Sequence, residues 1–195
     1  MFSEVCRAFT AMTRNKPRLE LALYARPKHP GTHHYALFVS PKSTKSKVSA
    51  SSTKHHVKNT LQNIHGELSQ PWRYECVAIP DCNVEQRLLA RVVIAKVVVP
   101  IGDLEKTLTA VPVYQEDDVE VVDGRVFSCR TWVRDALEEL GKQGVIVGLT
   151  DWEHVQRRAL DYVESKRKVG RWDVTWGGER GVPMTDLLSG EELIR

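Results

Sequence analysis

The sequence predicts an α+β fold: a largely antiparallel sheet of about five strands, packed against one helix that carries a cysteine at its first turn. Two patterns carry this. Leucines alternate through Arg18–Ala25, and β-branched or apolar residues crowd 34–39 and 88–98, as strands require. Farther on, Trp132, Val133, Ala136, Leu137 and Leu140 recur with helical period. The composition is that of an ordinary globular domain, 42% hydrophobic and 27% charged. At 195 residues the chain is long enough for one well-buried core and short for two.

Residues 1–17 carry few order signals and read as a loose arm, with the domain proper over 18–168. The first strand ends in the turn Arg26-Pro27-Lys28-His29-Pro30-Gly31-Thr32, and His34 to Val39 returns as its hairpin partner. Ser40 to Thr53 is Ser- and Lys-rich, an exposed loop. His55-His56-Val57-Lys58-Asn59, Trp72 to Ile79 and Leu88 to Val98 are the next strands, the last closed by Pro100. A short helix follows with Asp103 as N-cap, then an acidic, turn-rich approach from Glu116 to Gly124. The cysteine helix stops at Gly141 or Gly144. Thr150-Asp151-Trp152-Glu153 announces another, running to about Lys168 with Val155, Ala159, Tyr162 and Val163 inward. The tail 169–195, with Trp172, Trp176 and Gly177-Gly178, is expected to pack on the domain surface.

Several classes of function are disfavoured. A net charge of +3, from 28 basic and 25 acidic residues, is too small an excess to imply nucleic-acid binding. No apolar run approaches the ~18 residues a transmembrane helix needs, and the N-terminus lacks the basic and apolar regions of a secretory leader. A cytoplasmic protein with reduced thiols at Cys6, Cys76, Cys82 and Cys129 is the plain reading, with a Cys76–Cys82 disulfide as the alternative. Nucleotide-binding glycine motifs and the Gly-x-Ser-x-Gly elbow are missing. His34, His56 and a cysteine would supply three zinc ligands, but their spacing matches no zinc motif; no metal or cofactor is expected. From Pro27 to Gly66 there is no acidic residue while lysines recur, a solvated loop or a face that attracts an anionic substrate or partner.

The chemistry centres on Cys129, in Val126-Phe127-Ser128-Cys129-Arg130-Thr131-Trp132-Val133. The macrodipole and free N–H groups of a first turn favour a thiolate, and a nearby imidazole can act as base and then acid. The same placement suits a buried structural cysteine. Neighbours in a strand point to opposite faces, so only one histidine of each adjacent pair can face the helix. The small Ala36, sharing a face with His34 and Phe38, leaves room for that helix and selects His34. His55 and His56 stay equivalent on this argument.

The order strand-His (His34-Tyr35-Ala36-Leu37), second strand-His (His56-Val57-Lys58-Asn59), then helix-Cys (Cys129-Arg130-Thr131-Trp132-Val133) resembles the circularly permuted NlpC/P60 papain-like superfamily. That superfamily includes the lecithin:retinol acyltransferase-like enzymes and PPPDE-type peptidases. Over roughly 18–165 the chain looks still more like a group of small uncharacterised fungal proteins that share these three elements. The resemblance implies a papain-like fold with Cys129 as nucleophile, His34 as general base and His56, rather than His55, orienting the imidazole. Tyr35, Trp132 and Asn59, beside these residues, are the candidate substrate contacts. The expected substrate is a small-molecule or peptidyl amide, thioester or ester, cleaved or transferred; a non-catalytic binder of an anionic partner on the same scaffold is the alternative. The acyltransferase branch has Asn-Cys-Glu-His-Phe around its thiol where this chain has Ser-Cys-Arg-Thr-Trp, so that branch's substrate does not carry over.

Overall fold

The computed structural model describes residues 15–44, 46–48, 51–115 and 126–195. The arm, apart from its last three residues, and the acidic approach at 116–124 lie outside the described residues.

Strands β1 (Arg18–Ala25), β2 (His33–Ser40), β3 (Ser52–Lys58), β6 (Arg73–Ile79) and β7 (Leu88–Val97) form the body of one sheet. A small hairpin of β4 (Gln62–Ile64) and β5 (Glu67–Ser69) stands apart, turning at His65 and Gly66, both with positive φ. β8 (Ile146–Gly148), β9 (Met184–Asp186) and β10 (Glu191–Ile194) join the main sheet. Among the described residues it has eight strands, more than the five expected, in the order β10-β9-β7-β1-β2-β3-β6 with β8 also on β7. The tail expected to pack on the domain thus supplies two strands of its sheet. β9 runs parallel to β7, and the other pairings are antiparallel.

Among the described residues three helices cover one face: α1 (Ile101–Ala110), α2 (Cys129–Lys142) and α3 (Trp152–Lys168). Beneath them Leu19, Leu21, Leu23, Leu37, Val92 and Ile94 meet Trp132, Leu137, Leu140 and Val155 in the main core. Each such side chain, fully buried, contributes about 1.5–3 kcal/mol. The opposite face is also closed. Ala22, Tyr24, Ala36 and Phe38 pack with Ile79, Cys82 and Val182. Burial of β1 on both faces explains why its leucines alternate with alanine and tyrosine instead of charge. The exception is Glu20, 0% exposed, which takes a two-pronged ion pair from Arg91 (Nε 2.8 Å, Nη2 3.0 Å) and a hydrogen bond from the Ser40 hydroxyl.

The helix ends follow local chemistry. α1 starts at Ile101 after Pro100, two residues before the expected cap, so Asp103 acts within the first turn. The α3 cap is Asp151, whose Oδ1 accepts the N–H groups of Glu153 (3.1 Å) and His154 (3.3 Å). α2 passes through Gly141 and stops at Lys142, with Gly144 in the left-handed region at φ 65°. Gly148 lets β8 sit close on β7, since a Cβ there would lie 2.4 Å from the Ile94 carbonyl oxygen. Cys76 and Cys82 are free thiols. Among the described residues no helix is long and apolar enough to cross a membrane.

Candidate active site

A capping box sets Cys129 at the helix start. Ser128 Oγ accepts the Thr131 N–H at 3.3 Å, and the Ser128 N–H donates to Thr131 Oγ1 at 2.9 Å. The stripe from Trp132 to Leu140 then presses α2 onto the sheet and carries Cys129 into the main core. Backbone N–H groups of Tyr35, Arg130 and Cys129 itself face the sulfur. Burial nevertheless outweighs them, and the Arg26 guanidinium with them, and pushes the thiol above its ordinary value. The thiolate expected from the helix dipole is therefore not the resting form.

His34 and His56 are hydrogen-bonded to each other, Nε2 to Nδ1 at 2.9 Å, with their rings edge-on. They stand on the sheet face opposite α2, which is a correction to the facing argument. The helix covers Tyr35, Leu37 and Val39, which continue the larger apolar surface of β1 and β7. Ala36 clears space for Phe38, Tyr24 and Val182 instead. The three expected catalytic residues still meet. A cavity of about 700 Å³ opens at the turn end of the β1–β2 hairpin and is lined by His34, His56 and Asn59 from one side and Ser128 and Cys129 from the other. Among the described residues no side-chain hydrogen bond joins the thiol to either ring; the cavity is what they share.

Burial, reinforced by the neighbouring His56, Lys54 and Arg26, lowers His34 to about 3. Burial and Lys54 lower His56 to about 4, against a partial pull from Glu75. Both rings are neutral near pH 7. Glu75, on β6, lies 3.6 Å from His56 Nε2 and also pairs with Lys58 (2.7 Å) and Arg73 (3.2 Å). Its partial burial works upward, but the hydrogen bonds from Lys58 and Arg73 prevail and hold it below the usual carboxylate range. A neutral imidazole carries one proton. The tautomers that satisfy both contacts put it on Nε2 of each ring, His34 donating to His56 and His56 facing Glu75. His34 Nδ1 is then the free basic nitrogen.

Of the expected substrate contacts, Asn59 lines the cavity; Tyr35 and Trp132 do not. The Tyr35 side chain lies in the core, accepting a hydrogen bond from Gln156 Nε2 at 3.1 Å beside the Trp152 ring. Trp132 is fully buried against Tyr74. Both belong to the apolar stripes that hold α2 down, which is why residues adjacent to the site in sequence point away from it.

Further residues complete the cavity. Trp72 forms a wall, its edge against Phe127 two residues before Cys129; its backbone N–H and C=O are both taken by the Gln115 side chain (2.8 and 3.0 Å). Arg26, Lys28, Lys54, Lys58 and Arg87 line the cavity with no Asp or Glu among the lining residues. Lys28, Lys54 and Lys58 belong to the acid-free, lysine-rich run that the sequence offered as a face for an anionic substrate or partner, whereas Arg26 and Arg87 lie outside it. Nothing in the sequence marked Glu75 or Trp72.

A family model described as "Family of unknown function (DUF6914)" matches residues 16–194. No curated protein and no solved structure matches the chain.

Proposed function

Because the chain belongs to DUF6914, whose description assigns no activity, we propose its function from the site itself: a cysteine-dependent hydrolase or acyl transferase acting on an amide, thioester or ester. The observation that carries this is one cavity lined by a helix-start cysteine and a hydrogen-bonded histidine pair. The order strand-His, strand-His, helix-Cys, with its likeness to permuted NlpC/P60 papain-like enzymes, supports the same reading.

Cys129 Sγ attacks the substrate carbonyl carbon as His34 Nδ1 takes the thiol proton. Because thiol and imidazoles rest neutral, this proton moves during attack rather than before it. The resulting imidazolium is stabilised through His56 by the Glu75 carboxylate. The carbonyl oxygen, now an oxyanion, is met by backbone N–H groups at the start of α2. Collapse expels the leaving group, which receives the proton from His34, and leaves a thioester on Cys129. Water or an acceptor amine or alcohol then attacks, His34 removing its proton, and the free thiol returns.

The cationic lining favours a second reading: a binding module that holds an anionic partner without turnover. One experiment separates them. In a Cys6→Ser/Cys76→Ser background, which removes the thiol outside the described residues and the exposed one among them, a panel of acyl and peptidyl electrophiles should form an adduct at Cys129 that Cys129→Ala abolishes and His34→Gln slows. Equal turnover of the panel by wild type and Cys129→Ala overturns the enzyme reading. Binding of acidic peptides by wild type with no adduct or turnover establishes the binder.

A further inference from the structure

A second group of reactive side chains lies outside the cavity. His55 on β3 and Cys76 on β6 are direct cross-strand partners, so their side chains stand together on the helix-covered face. Glu105 reaches them from α1. An imidazole nitrogen of His55, the Cys76 sulfur and a Glu105 carboxylate oxygen all lie within 4.8 Å of one another.

The state of His55 is unusual. Its side chain is 0% exposed, and while Nδ1 is tied to the Tyr74 hydroxyl at 2.8 Å, Nε2 has no hydrogen-bond partner. A buried polar atom left without a partner is destabilising, so a ligand for it is favoured. An imidazole oriented through one nitrogen by a neighbouring side chain is also how proteins prepare histidine for a metal. Access is available as well, because β6 ends the sheet and Cys76 is exposed on it.

We propose that His55, Cys76 and Glu105 form a site for a divalent cation of the zinc type. One sulfur, one nitrogen and one oxygen donor suit a borderline-soft ion, whereas magnesium and calcium take oxygen ligands almost alone. Zinc bonds of about 2.0–2.3 Å place tetrahedral ligands about 3.3–3.8 Å apart, so small side-chain shifts close the cluster. The fourth position faces solvent at the exposed strand. Binding replaces the Cys76 S–H bond with a sulfur–metal bond and releases the proton to water. The ion then joins α1 to the last strand of the sheet, and a cation held only by the folded chain raises its melting temperature by mass action.

The test uses the full chain, stripped with a chelator and titrated with Zn²⁺ against a chromophoric competitor and with Co²⁺ as a spectroscopic probe. One equivalent should bind, with a thiolate-to-cobalt absorption band and a zinc-dependent rise in melting temperature. Cys76→Ser should abolish the band and weaken zinc by about a hundredfold, at or beyond the cost of losing an outer-shell partner. Glu105→Gln should weaken zinc while keeping the band, and circular dichroism checks that each variant is folded. No stoichiometric binding by wild type overturns the site. So does a band that survives Cys76→Ser and disappears in Cys129→Ala, which would place the ion in the cavity.

Discussion

Acidification from pH 7 to pH 5 should destabilise the protein through the His34–His56 pair, by an amount that follows from burial. Both rings start from an ordinary value of 6.5 and are lowered in the fold, to about 3 and about 4. A lowered histidine means that the unfolded chain binds the proton first. Stability is therefore lost as pH falls below 6.5, and the loss stops growing only below the folded values. At pH 5 the unfolded rings lie about 1.5 pH units below their titration point, worth about 2 kcal/mol each at about 1.4 kcal/mol per unit. Together the pair contributes about 4 kcal/mol of acid sensitivity, a large part of the ~5–15 kcal/mol that holds a domain folded. Among the neighbouring charges, Lys54, Arg26 and Lys58 oppose protonation, and Glu75 favours it. Urea unfolding of wild type and the His34→Gln/His56→Gln variant at both pH values isolates the effect. Wild type should lose about 4 kcal/mol more than the variant. Parallel losses would show that these rings are not held neutral by the fold, and would overturn the burial argument.

Glu20→Ala strips the carboxylate from buried Arg91 and should cost about 3–5 kcal/mol in chemical denaturation. Ser128→Ala removes the α2 cap and should cost about 1 kcal/mol, with slower Cys129 labelling because the helix start carries the thiol. Gly148→Ala drives a methyl into the Ile94 carbonyl and should destabilise by more than the few tenths of a kcal/mol usual for a surface change, seen as a lower melting temperature.

How much of this was legible in the sequence depended on length and on sidedness. β1, β2 and β7 run eight to ten residues, long enough for a period to emerge, and the α2 stripe recurs from Trp132 to Leu140. β8, β9 and β10 have three or four residues each, too few to distinguish from loop, and β9 is a strand because β7 and β10 offer it partners on either side. The side taken by the helices could not be read from Ala36, since β1 and most of β2 are buried on both faces. His34, His56 and Cys129 were identifiable by type and order. Glu75 was not: between Arg73 and Lys58 it has the character of an ordinary surface charge, and only the cross-strand pairing His56↔Glu75 gives it a role.

The parallel pairing of β9 with β7 also has a consequence during synthesis. Arg91 to Val93 find their outer partners only in Met184 to Asp186, some ninety residues later. Until that late segment leaves the ribosome, a nascent chain with β1, β2 and β7 already paired carries an open row of amides beside Val92 and Val93. Such a row is a template for joining another chain. Premature termination before Met184 should therefore yield aggregates held by intermolecular strands rather than a smaller working protein.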